Sequence, residues 1–137
     1  MTLDEFVKNY ESKQIDYDKA FGSQCVDLFR QYSKEVLGIT EHTGVVEGAK
    51  DLFINFSSMP KMTKYFQKVY TPRKGDIVIF NGSETNKYGH VAIVIYATNR
   101  SIVVFEQDGF NQSKGSYINV WSYERVLGFI RGKWYEL

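Results

Sequence analysis

Pro72-Arg73-Lys74-Gly75-Asp76-Ile77-Val78-Ile79-Phe80 divides the chain into two kinds of sequence. Its first half has turn chemistry, and the four apolar residues that follow are β-branched or aromatic, as in a buried strand. Downstream, His90-Val91-Ala92-Ile93-Val94-Ile95-Tyr96 and Ile102-Val103-Val104-Phe105-Glu106 are joined by Thr98-Asn99-Arg100-Ser101, a hairpin-type connection. Ser116 to Trp121 and Val126 to Ile130 read as further strands, with Gly109 and Gly115 marking turns. Upstream, the spacing turns helical. Helices first and antiparallel strands second make an α+β fold, with N-terminal helices packed on a C-terminal sheet.

Moving back from Pro72, Met62 to Tyr70 fits neither period, and Ser57 to Lys61 reads as a loop. Ala49, Leu52, Phe53 and Phe56 predict a helix over Glu47 to Phe56. Lys34 to Gly44 turns through Gly38 and Gly44. From Gln24, the spacing of Cys25, Leu28, Phe29, Tyr32 and Val36 predicts a helix that Gly38 stops. Lys13 to Gln24 is polar and reads as a loop. Leu3, Phe6, Val7 and Tyr10 predict a first helix, opened by a Thr2/Glu5 capping box.

With 137 residues the chain reads as a single domain, 1–137, and 43% hydrophobic residues suffice for one core. A net charge of +1 removes any bulk electrostatic case for nucleic acid or an acidic membrane. The single cysteine excludes an internal disulfide and any paired-cysteine metal or redox motif. The N-terminus is acidic where a signal peptide would be basic, and no stretch reaches the roughly 20 apolar residues of a membrane helix. The expectation is a chain without its own export signal and without membrane insertion, a monomer unless a partner is supplied.

The residues able to carry chemistry are few. Cys25 falls at a predicted helix start, where the macrodipole favours a thiolate; it reads either as a nucleophile or as a buried structural thiol. His90 opens a strand, the place for a general base at a cleft, or for a solvated loop histidine. His42 reads as solvated. Glu106 and Asp108 close the next strand, beside His90 if the two strands pair; one of them orients an imidazole, or both simply mark a polar strand end.

Taken together, Gly22-Ser23-Gln24-Cys25-Val26-Asp27, Gly75-Asp76-Ile77-Val78-Ile79-Phe80, Tyr88-Gly89-His90-Val91-Ala92-Ile93-Val94 and Glu106-Gln107-Asp108 resemble the successive motifs of CHAP domains. These are cysteine, histidine-dependent amidohydrolases/peptidases, a papain-like group found in phage endolysins and bacterial wall hydrolases. The resemblance covers roughly Leu3 to Arg131. It implies a papain-like fold in which Cys25 attacks an amide carbonyl, His90 is its base and then the acid for the leaving amine, and Glu106 orients His90. Asp108 stands where the phage enzymes often have Asn, so that it either competes with Glu106 or faces solvent. The Cys25 backbone N–H, with the Gln24 side chain, would form the oxyanion hole.

The loop before the cysteine has a second reading. Counting Asp16 as position 1, Asp18 falls at 3, Ala20 at 5, Gly22 at 7 and Asp27 at 12, the ligand positions of an EF-hand loop. Phe21 replaces the usual position-6 glycine, and Ala20 offers only its carbonyl. Oxygen donors of this kind suit Ca²⁺ rather than Zn²⁺. Several phage CHAP domains carry calcium on this loop, so the resemblance implies the same site, structural or activating rather than Lewis-acidic. Without a metal, the same residues make a solvated acidic turn that caps the helix.

The resulting expectation is a peptidoglycan hydrolase cleaving the N-acetylmuramoyl–L-alanine bond or a bond of the stem or cross-bridge peptide through a thioester. Tyr88, Trp121 and Tyr123 are candidates to line its groove, with core packing expected for at least one of them. Phage-type action implies release through a separate pore or carriage in a virion, and either a partner subunit or a further wall-binding domain. One alternative is an NlpC/P60-type wall peptidase, which usually orients its histidine with a second histidine. Another is a non-catalytic virion or wall-binding module retaining the fold.

Overall fold

A computed structural model describes residues 1–18 and 24–133. Helix α1 (Leu3–Tyr10) starts at the capping box: Thr2 Oγ1 accepts the Glu5 N–H at 3.2 Å and Glu5 Oε1 accepts the Thr2 N–H at 3.1 Å. It buries Leu3 and Phe6, and Phe6 meets Tyr32 and Phe105 edge-on, with ring centroids 5.6 and 6.1 Å away. Helix α2 (Cys25–Glu35) starts where Asp27 Oδ2 takes the Gln24 N–H at 2.9 Å, and buries Leu28, Phe29 and Tyr32 along one face. Beyond its end, Ile39 N–H reaches back to Ser33 O at 2.8 Å, a reversal made at Gly38 with φ +72°.

Strands β1 (Phe66–Val69), β2 (Ile77–Phe80), β3 (His90–Ala97), β4 (Ser101–Gln107), β5 (Ser116–Ser122) and β6 (Val126–Gly132) form one sheet in the order β1-β6-β2-β3-β4-β5. Every neighbouring pair is antiparallel. The helices cover the face that carries Ile77, Ile79, Val91, Ile93 and Phe105. The other face is also apolar, built from Val78, Phe80, Ala92, Val94, Ile102, Val104 and Phe129. All four β2 residues are therefore buried, which is why Ile77-Val78-Ile79-Phe80 is a continuous apolar run rather than an alternating one. Register shifts at Ile79/Phe80 against β6 and at Val94/Tyr96 against β4 bend the sheet around this second face. Asp76 forms a two-point ion pair with Arg131, at 2.7 and 2.8 Å, fastening β6 to the turn before β2.

Two upstream expectations change. The helix expected over Glu47 to Phe56 shrinks to α3 (Asp51–Ile54), with a 3₁₀ turn at Phe56–Ser58. Its first residues are held elsewhere: Lys50 N–H donates to Tyr88 O at 3.0 Å, and a Cβ on Gly48 would lie 2.6 Å from that same oxygen. The loop read over Ser57 to Lys61 ends early, because Pro60 opens α4 (Pro60–Tyr65). The unassigned stretch Met62 to Tyr70 completes α4 and then supplies β1, an edge strand paired with β6.

Candidate active site

Cys25 is the first residue of α2, so its backbone N–H has no acceptor within the helix and points out of the helix end. The side chain is half-buried and faces a cleft of about 560 Å³. His90 is the first residue of β3. Gly89 places it there, with φ +74° and so little room that a Cβ would sit 2.5 Å from Phe80 O and 2.7 Å from Lys50 Cβ. A larger residue at 89 would push the imidazole out of position.

The His90 ring hydrogen-bonds Glu106 and interacts with Cys25, which lines the same cleft. Its Nε2 lies 3.1 Å from Glu106 Oε1, which leaves Nδ1 to the thiol. Burial disfavours a charged imidazole, but the interactions with Cys25 and Glu106 outweigh it and push His90 up to about 10. Cys25 therefore faces an imidazolium at neutral pH, the arrangement that activates a thiol as a nucleophile.

Glu106 is 1% exposed. Burial alone would raise its pKa, yet hydrogen bonds from His90, Trp121 and Asn119 hold it below its ordinary value. Trp121 Nε1 donates to Oε1 at 2.6 Å and Asn119 Nδ2 donates to Oε2 at 3.1 Å. Trp121 also stacks beside Phe80 and His90, with centroids at 5.0 and 6.0 Å. Asn119 was not among the residues singled out from the sequence, and Trp121 was expected in the groove rather than on Glu106. The signal was present in the alternation Tyr117-x-Asn119-x-Trp121, which puts three polar hydrogens on one face of a strand next to Glu106.

The other expected residues divide. Gln24 and Asp108 line the cleft with Cys25 and His90. Asp108 Oδ1 accepts the Phe110 N–H at 2.8 Å, and the carboxylate on His90 is that of Glu106. Of the three aromatics expected in the groove, Tyr88 lines it; Trp121 stands behind His90. Tyr123 lies in the same apolar layer as Trp121 but packs on Phe129, away from His90, its hydroxyl donating to Thr98 O. His42 borders the cleft, with Nδ1 accepting the Gly44 N–H at 3.1 Å.

Next to the nucleophile, Asp16, Asp18 and Asp27 each bring a carboxylate oxygen within 4.8 Å of the others. Burial, assisted by Asp18 and Asp16, pushes Asp27 up to about 6. Asp16 Oδ1 is buried with no hydrogen-bond partner among the described residues. Three convergent hard oxygens, on a cluster that includes a carboxylate with an unpartnered buried oxygen, fit a divalent cation such as Ca²⁺. Ala20 and Gly22, the other expected ligands, lie outside the described residues. A buried amide closes this loop at both ends. Gln107 Oε1 accepts Ile15 N–H at 2.8 Å, while Nε2 donates to Ile15 O at 2.8 Å and to Gln24 O at 2.7 Å. Gln107 thus ties the start of the acidic loop and the residue before Cys25 to the end of β4, one position from Glu106.

Comparison with known proteins places this geometry. The family model of the CHAP domain matches residues 14–108. Endolysin PlyTW of Staphylococcus phage Twort (strain DSM 17442 / HER 48) is 27% identical over 138 residues, covering 93% of this chain and 29% of that protein. Among solved structures, the endolysin LysIME-EF1 superposes with a TM-score of 0.67 at 20% identity, covering 96% of this chain and 64% of that one. Ly7917 does so with a TM-score of 0.68 at 19% identity, over 96% and 62% of the two chains. The chain therefore spans under a third of that curated relative and less than two thirds of the solved ones. The architecture shared with these endolysins is the papain-like α+β fold.

Proposed function

The chain belongs to the CHAP domain family, and on that footing we propose that it hydrolyses an amide bond of bacterial peptidoglycan through a thioester on Cys25. The observation that carries this reading is the single imidazole of His90, hydrogen-bonded to Glu106 and sharing one cleft wall with Cys25, with which it interacts. The matching relatives are endolysins, which points to the bacterial wall as substrate.

In the proposed reaction Cys25 Sγ adds to the amide carbon, and the carbonyl electron pair becomes an oxyanion. The Cys25 N–H at the positive end of α2 receives that charge, assisted by the Gln24 side chain. Collapse breaks the C–N bond while His90 passes its proton to the leaving amine. A water then gives a proton to the neutral His90 and attacks the thioester, which releases the carboxylate product and restores the thiolate and imidazolium. Glu106, not a second histidine, orients His90, which favours this reading over an NlpC/P60-type site. The action would follow release through a separate pore or carriage in a virion, with wall targeting supplied by a further domain or partner subunit.

The bond is the N-acetylmuramoyl–L-alanine amide or a peptide bond of the stem or cross-bridge. Mass spectrometry of purified walls after digestion is expected to show new amine and carboxyl ends in equal number, with the glycan chains intact. New amines on L-alanine identify the amidase, and new ends within the peptide identify the endopeptidase. New reducing sugar ends without amines would overturn the reading.

For the acidic loop, Asp16, Asp18 and Asp27 would hold a Ca²⁺, which supplies charge neutralisation between three crowded carboxylates and thereby stiffens the approach to Cys25. Calorimetric titration at pH 7.5 should detect one Ca²⁺ site and a raised melting temperature, both lost in Asp16→Ala. Absence of binding heat and of any thermal shift in the unmodified protein would sink this part.

A further inference from the structure

β5 reads Ser116-Tyr117-Ile118-Asn119-Val120-Trp121-Ser122. Hydrophobic patterning alone would turn Ile118 and Val120 inward. The strand does the opposite: Ile118 is 47% exposed and Val120 60%. Register pairs Glu106 with Tyr117, Val104 with Asn119 and Ile102 with Trp121, so Tyr117, Asn119 and Trp121 share the face that carries Glu106. A slip of one residue would bury the two aliphatic side chains and expose those three. Some other interaction therefore holds the register.

Glu106 supplies it. Trp121 Nε1 and Asn119 Nδ2 donate to its two oxygens at 2.6 and 3.1 Å, and Tyr117 stands opposite Glu106 in the register, the pKa of its hydroxyl raised by burial and then by this carboxylate. With His90 Nε2 at 3.1 Å this makes three hydrogen-bond partners on one buried carboxylate. We infer that β5 is a positioning strand for the site proposed above: Asn119 and Trp121 form a ladder of donors that locks the Glu106 carboxylate in the orientation serving His90, with Tyr117 beside them on the same face. The inference rests on that reading of Cys25, His90 and Glu106.

A buried carboxylate that lost these donors would take up a proton or rotate, and in either case it would stop accepting from Nε2. The titratable groups facing it are His90 from β3, Tyr117 from β5 and, through His90, Cys25 from α2. Asp108 from the end of β4 and Lys114, above the Tyr117 ring, act on Tyr117. Asn119 reaches the reacting groups only through Glu106, whereas Trp121 also stacks beside His90.

Trp121→Phe removes the indole N–H and leaves a smaller aromatic ring on that face; Asn119→Ala removes the other donor, a carboxamide. In each, kcat on dye-labelled cell walls should fall about tenfold with KM within about twofold of wild type. The acid limb of the pH profile should move up by about one unit. The His90 Nε2–H signal in proton NMR, readily assigned in a chain with 2 histidines, should broaden by exchange with water. Val120→Thr on the outward face should match wild type in all three. Acid limbs and a His90 signal indistinguishable from wild type in both variants, whatever their kcat, would overturn the ladder. Should Cys25→Ala still lyse walls, the catalytic reading fails, and the His90 signal alone then judges the ladder.

Discussion

Cys25→Ala is expected to lower the rate of wall lysis by at least about 10³-fold while the protein remains folded. The thiol is the atom that forms the proposed bond to substrate, and no serine, threonine or second cysteine is among the described residues lining the cleft with it. What would survive is the weak contribution of the helix-end N–H and of binding. The fold should tolerate the change. Cys25 is half-buried at the first position of α2, where alanine is a good helix former, and the cap between Asp27 and Gln24 does not involve the side chain at 25. A secondary effect follows on His90. Losing its interaction with Cys25 removes one of the influences that raise it to about 10, so its titration should move down in this variant. Turbidity loss of wall suspensions checks the first effect, and the imidazole signals in an NMR titration check the second.

Glu106→Gln is expected to lower kcat by about 10²- to 10⁴-fold, with a smaller change in KM. The substitution preserves shape and removes the charge. Its carboxamide has one oxygen to offer where Trp121 and His90 converge on Oε1 and Asn119 approaches Oε2. With the oxygen at the Oε1 position, the NH₂ meets the Asn119 donor. Flipped, it meets Trp121 and presents His90 with a donor, which selects the wrong tautomer for accepting a proton from the thiol. Either way donors oppose donors in a buried site, a loss of about 2 kcal/mol of stability. The sign of the pH effect is set by His90, which is charged below its pKa. Without the Glu106 carboxylate that pKa falls from about 10, so the thiolate–imidazolium pair is lost earlier as pH rises. The deficit should therefore be largest on the alkaline side. A pH series of kcat on wall substrate checks it.

Much of the fold was legible because the strand runs after Pro72 are short, apolar and punctuated by turn residues. The hairpin from β3 to β4 closes at Thr98 and Ser101, where the connection was read, with Thr98 N–H donating to Ser101 O at 2.9 Å. Local pattern failed where distant backbone intervened. Glu47 to Phe56 has helical spacing, but Gly48 and Lys50 are drawn onto Tyr88, an interaction between residues about 40 positions apart that no window can see. β1 is too short to show a period of its own and exists as an edge added to β6.

The site residues Cys25, His90 and Glu106 could be named because each sits at an element end, where a side chain reaches a cleft. Their supporting residues could not. Gln107 appears as one more polar residue at a strand end until the structure shows it gripping Ile15 and Gln24. Tyr123 and Trp121 have the same aromatic character and lie two residues apart. One stacks beside His90 and the other lies on Phe129, because β5 ends between them.

The central claim is that one sulfur carries the chemistry, and the chain has a single cysteine with which to test it. Partial alkylation of the unmodified protein by iodoacetamide, with the modified fraction read by intact mass, should lower wall hydrolysis in direct proportion and reach zero at one adduct per chain. Hydrolysis that persists when every molecule carries the adduct would contradict the account.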